Sequence, residues 1–181
     1  MASLFDRLMD SVPFVRESMA SFTMKAYSQS NLLTKGGENM SRAIIVCTHG
    51  HTSEEMIKSA EMIMGEQENI GFVNFVPGEN TEDLIAHYQQ EMKQLDCTSG
   101  LLVMVDLFGG SPFNAISQLA LADENIEVIA GVNFPMLLET LALKQSLSLT
   151  ELTENAKAIG MSGITILEKN LADENEMEDE L

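Results

Sequence analysis

The chain has 181 residues, enough for one α/β domain and too few for two comfortable ones. It is 45% apolar and 21% charged, as globular proteins are, yet 10 Lys and Arg face 28 Asp and Glu, a net charge of −18. That balance argues against a nucleic-acid partner, no apolar run approaches the ~20 residues of a membrane span, and Cys47 and Cys97 make neither a disulfide scaffold nor a zinc site.

Residues 1–39 carry four acids and four bases and show no sustained hydrophobic period. They lack the apolar core and small-residue cleavage site of a secretory signal, so a soluble, reduced, cytoplasmic protein is expected. At best Leu4 to Met9 and Val15 to Met24 form frayed helices. The run Gly36-Gly37-Glu38-Asn39-Met40 is compatible with purine-rich codons of the ribosome-binding type ahead of a start. The expectation is therefore that Met40 is the true start and that 1–39 is a disordered or upstream extension.

From Ser41 the pattern changes. AIIVCT, Ala43 to Thr48, reads as a buried strand. Thr52 and Glu55 fit a capping box that opens a helix. Met56, Ile57, Ala60, Ile63 and Met64 recur on one face, and Gly65 ends it. Ile70 to Val76 is a second strand, Pro77-Gly78 a turn, and Asn80 the cap of a helix with Leu84, Ile85, Tyr88, Met92 and Leu95 on one face. Leu101 to Val105 is a third strand, followed by Asp106 and a glycine pair. Ser111 is expected as N-cap and Pro112 as first residue of the next helix. Glu127 to Gly131 is a fourth strand, Pro135 starts a helix, and Thr150 to Ala158 makes another. Gly163 to Lys169 is a last, amphipathic strand, and residues 171–181, with six acids and no base, read as a disordered tail.

This alternation predicts an open, mostly parallel, doubly wound sheet with helices on both faces and right-handed crossovers, spanning residues 40–170 as one domain. Such sheets bind ligands beyond the carboxyl ends of their strands, where the strand order reverses. In a flavodoxin-like order 2-1-3-4 that point lies between the first and third strands. The first is followed by Thr48-His49-Gly50-His51, the third by Asp106-Leu107-Phe108-Gly109-Gly110-Ser111-Pro112. A neutral imidazole attacks through one ring nitrogen while a carboxylate on the other fixes tautomer and orientation. His49 and Asp106 suit those parts. A Gly-Gly-Ser turn into a helix offers backbone N–H groups and a positive dipole end to an anion. A phosphoryl group on His49 would thus meet donors at Gly109, Gly110 and Ser111.

Each feature taken singly has a structural explanation. A histidine after a strand is commonly a polar loop residue, and GGSP is a good helix start. The combination at one switch point carries the functional reading. His49 and His51 make a His-x-His pair without an obvious third ligand, so no metal is expected. His87 reads as a partly exposed helix residue, and the 13 Met as core filler.

The stretches AIIVCTHGH, AEMIMGEQENIGFVNFVPGENTEDL, LLVMVDLFGGSPFNA and EVIAGVNFPMLLETL extend over Ser41 to Lys169. In them the chain resembles the IIA component of the mannose family (mannose, fructose and sorbose type) of the phosphoenolpyruvate-dependent sugar phosphotransferase system. The resemblance implies a phosphohistidine carrier with His49 as phosphoryl acceptor, Asp106 as its partner, and Gly109, Gly110 and Ser111 as the phosphate turn. It implies phospho-HPr as donor and a IIB component as acceptor, here expected as a separate polypeptide, with membrane IIC and IID subunits downstream. It implies no cofactor. It also implies a homodimer in which the last strand, Gly163 to Glu168, pairs with the partner's sheet. Some members carry Thr and Trp where this chain has Leu107 and Phe108. A phosphocarrier for dihydroxyacetone kinase and a non-catalytic flavodoxin-like binding module stay open as alternatives.

Overall fold

In the computed structural model, which describes residues 41–167, four strands and five helices alternate along the chain. The strands are β1 (Ala43–His49), β2 (Ile70–Phe75), β3 (Leu101–Val105) and β4 (Ile126–Ala130). The helices are α1 (Thr52–Met64), α2 (Thr81–Met92), α3 (Ser111–Ala120), α4 (Phe134–Leu143) and α5 (Leu149–Ser162). All strand pairs are parallel and the order is β2-β1-β3-β4, so the switch point falls between β1 and β3.

The burial pattern explains the apolar runs. β3 is buried throughout and β1 up to Thr48, because helices cover both faces of a parallel sheet. Ala43, Ile45, Cys47, Leu101, Val103 and Val105 point to one face and pack with Leu84 and Tyr88 of α2 and Ala115 and Ile116 of α3. Ile44, Val46, Leu102 and Met104 point to the other and pack with α1, α4 and α5. The period of two along each strand supplies both cores.

Three local expectations are corrected. Thr52 is the first helical residue of α1, not its cap; the N-cap is His51, whose side chain makes no capping bond. Thr48 Oγ1, at the end of β1, accepts the Ser53 N–H at 2.8 Å instead. Glu55 is drawn away to Lys58, 2.9 Å distant. At α3 the N-cap is Gly110; Ser111 is the first helical residue and Pro112 the second. Finally, Gly163 closes α5 and residues 164–167 join no ladder among the described residues, so the expected last strand is not part of this four-stranded sheet. An extended segment needs an adjacent strand to pair with, and α5 runs four residues longer than expected before releasing the chain. The extension 1–39, the Met40 start, residues 168 and 169, and the acidic tail lie outside the described residues.

Candidate functional site

The carboxyl ends of β1 and β3 bring His49 and Asp106 together across 57 residues of chain. Asp106 Oδ2 accepts from the His49 backbone N–H at 2.9 Å and lies 2.9 Å from His49 Nδ1. A carboxylate only accepts, so the ring proton belongs on Nδ1 and the Nε2 lone pair is left for chemistry. The imidazole edge meets the Phe75 ring at a centroid distance of 5.5 Å, which limits its rotation from the β2 side. The pair is not sealed in: the His49 side chain is 45% exposed and that of Asp106 31%. A macromolecular partner has access to the ring.

The glycine turn is built around that ring. Gly109 has φ +75°, in the left-handed region that favours glycine. At Gly110 a Cβ would stand 3.1 Å from His49 Cε1 and 3.3 Å from Leu107 O, so the absent side chain lets the imidazole approach the helix end. The Gly110 N–H is not a free donor, however: it closes a turn onto Leu107 O at 3.2 Å. The Asn114 side chain clamps the same turn by donating to Gly109 O at 2.9 Å. The Ser111 N–H belongs to the first turn of α3, where no carbonyl inside the helix can accept it. Leu107 and Phe108 are exposed beside the turn, Phe108 resting on Phe113 at a centroid distance of 4.6 Å.

A second set of polar residues holds the β1–α1 loop. The Ser53 hydroxyl reaches Val73 O at 3.0 Å and Asn74 Oδ1 at 2.6 Å. Asn74 Nδ2 in turn lies 3.1 Å from His51 Nδ1. His51 is therefore engaged by an amide donor rather than sharing a ligand position with His49. Among the described residues no group of three or more His, Cys, Asp or Glu gathers as a metal centre would require. His87 lies 3.6 Å from Glu79 and is partly exposed. Arg42 precedes β1 and so lies at the opposite end of the sheet, while Lys58 is paired with Glu54 at 2.8 Å and Glu55 at 2.9 Å. Lys58 is drawn to these two carboxylates, whose hydrogen bonds raise its pKa and pull that of Glu54 down.

Sequence reasoning placed His49, Asp106 and the glycine turn but passed over Thr48, Ser53 and Asn74. Their only signal is a hydroxyl at the last buried strand position and short polar residues flanking apolar runs. Such residues usually cap helices and turns.

A parallel α/β sheet with a carboxylate-held histidine at its switch point, facing a glycine turn, defines a site suited to carrying a group on the imidazole. The family model described as "EIIA-man: PTS system fructose IIA component" matches residues 43–157. The chain belongs to this family: it is a IIA component of the mannose family of the phosphotransferase system, and such components take part in phosphotransfer. It is 50% identical over 129 residues to the mannose-specific EIIAB component of the phosphotransferase system of Escherichia coli K12, covering 71% of this chain and 40% of that protein. The chain thus spans two fifths of that relative's length. It is 34% identical over 144 residues to the fructose-specific EIIA component of Bacillus subtilis, covering 77% of this chain and 99% of that one. The mannose/sorbose-specific IIA subunit from Enterococcus faecalis superposes with a TM-score of 0.65 at 26% identity, covering 71% of this chain and 96% of that one. Among the described residues no helix is long and apolar enough to cross a membrane.

Proposed function

We propose that this protein is a cytoplasmic phosphohistidine carrier that accepts a phosphoryl group from phospho-HPr on His49 and passes it to a IIB component. The observation that carries the reading is the 2.9 Å contact of His49 Nδ1 with Asp106 Oδ2, which directs the Nε2 lone pair away from the carboxylate. In the forward step Nε2 attacks phosphorus in line, the Nε2–P bond forms, and the bond from phosphorus to the donor's histidine nitrogen breaks. The Nδ1 proton stays in place, and Asp106 stabilises the positive charge that the ring acquires. The Ser111 N–H, the Gly109 backbone and the positive end of α3 offer neutral donors to the transferring oxygens. Gly110 serves mainly by letting the ring approach. Neutral donors suit a carrier, because a clamp of arginines would hold a group that must leave again.

The proposal extends to the partners. IIB would take the phosphoryl group by the reverse geometry and phosphorylate the sugar as the membrane IIC and IID subunits carry it in. The chain would act as a homodimer in which residues 163–168 of one copy pair along β4 of the other. Two observations support that arrangement: β4 is an edge strand among the described residues, and Ile164, Ile166 and Leu167, which follow α5, stand 80–90% exposed.

The test is intact-protein mass after incubation with phosphoenolpyruvate, enzyme I and HPr from the same source. One acid-labile phosphoryl addition to the wild type, absent from His49→Ala, is the expected result. No addition to folded wild type, with active enzyme I and HPr, would overturn the carrier reading and favour a binding module.

A further inference from the structure

Tyr88 is the largest of the fully buried side chains among the described residues. It stands on α2, in the apolar cluster that also holds Ala43, Ile45 and Cys47 of β1 and Ala115 and Ile116 of α3. Phenylalanine would serve that packing. The hydroxyl requires a separate reason, since a buried O–H costs free energy unless it is bonded. It donates to Pro112 O at 3.1 Å. Pro112 is the second residue of α3, in the turn that follows Gly109 and Gly110. The same hydroxyl adjoins the Cys47 thiol, which lies two residues before His49 on the same face of β1. Asp106 is close enough to act electrostatically on both groups. Burial pushes the Cys47 thiol up to about 12 and the Tyr88 phenol far above its ordinary range, so both stay neutral hydrogen-bonding groups. One phenol therefore touches the strand that carries the nucleophile and the helix that presents amides to the anion.

We propose that the Tyr88 hydroxyl is a positioning group for phosphoryl transfer. By holding the first turn of α3 against β1 beneath His49, it sets the distance from His49 Nε2 to the backbone donors at 109–111. The inference rests on the reading of His49 as phosphoryl acceptor. Displacements of about 1 Å cost transfer reactions on the order of 100-fold, so even partial slackening is measurable.

Tyr88→Phe keeps the ring and removes one oxygen. Its phosphorylation by phospho-HPr is compared with that of wild type and of Leu152→Ala, a core change on the opposite face of the sheet. Backbone amide resonances of Gly109 to Phe113 are recorded in parallel, with the 31P resonance of the phosphohistidine. The expected result is a maximal rate about tenfold lower in Tyr88→Phe, with the half-saturating phospho-HPr concentration little changed. The Ser111 amide and 31P resonances should shift. Leu152→Ala should keep the wild-type rate although it lowers stability more. A wild-type rate with unmoved resonances in Tyr88→Phe, or an equal slowing in Leu152→Ala, would overturn the positioning role while leaving His49 as acceptor. Wild-type protein that takes no phosphoryl group would overturn the acceptor reading, and this inference with it.

Discussion

At the scale of single residues, the site depends on one oxygen. Asp106 Oδ2 takes both the backbone and the ring N–H of His49, while Oδ1 is buried without a hydrogen-bond partner among the described residues. Asp106→Ala should therefore slow phosphoryl transfer by about 10- to 100-fold, the worth of one hydrogen bond to a charged group. Stopped transfer kinetics measure this, and an unchanged far-UV spectrum shows that the fold survives. Gly110→Ala should slow transfer as well, because its methyl group must displace an imidazole carbon from 3.1 Å. Cys47 makes a contrasting prediction. Its raised pKa leaves little thiolate at pH 8, so alkylation should be slow in the native protein and fast in denaturant. His49 and Asp106 were legible because each ends an apolar run, and the topology puts those two ends side by side. Ser53 and Asn74 were not, because their hydrogen bonds run between elements about 20 residues apart.

At the scale of elements, local signals worked where the chain supplies its own partner. Asn80 accepts the Glu82 and Asp83 N–H groups and Asp83 reaches back, as a cap at Asn80 anticipates. Asn80→Ala should lower unfolding free energy by about 1 kcal/mol, read from the denaturant midpoint at constant slope. At α5, the Ser148 hydroxyl and backbone N–H hold the Glu151 carboxyl below its ordinary value. A lowered folded value means that the box stabilises fully above the ordinary Glu value of 4.5 and loses its effect as pH falls through the folded one. The stability gap between wild type and Glu151→Gln should accordingly narrow on acidification below that range. At α1 and α3 the same kind of signal misled. Thr48 bonds Ser53 from the strand, and the glycine turn takes the cap position, so tertiary neighbours displaced the residues that local pattern favours.

At the scale of the whole molecule, β4 leaves one edge of the sheet unpaired among the described residues. A cavity of about 500 Å³ lies there, lined in part by Phe113, Val128, Met161 and Ile164. If residues 163–168 cross to a second copy, Ile166→Asp should convert a dimer to a monomer in sedimentation or light scattering, with the fold kept. A wild-type monomer at micromolar concentration would remove the dimer from the proposed function. Among the described residues the sequence by itself determined the four strands and five helices, the two apolar faces of the sheet and the residues at the strand ends, but it also predicted a fifth strand that residues 164–167 do not add to this sheet. Periods of two and 3.6 residues, and the breaks between them, are local properties of the chain. Only the tertiary structure decided that the Gly110 N–H is spent on its own turn, that Thr48 caps a helix from a strand, and that Tyr88 links β1 to α3. Those are contacts between segments distant in sequence. Their energies depend on the geometry in which sheet and helices meet, and no single segment contains it.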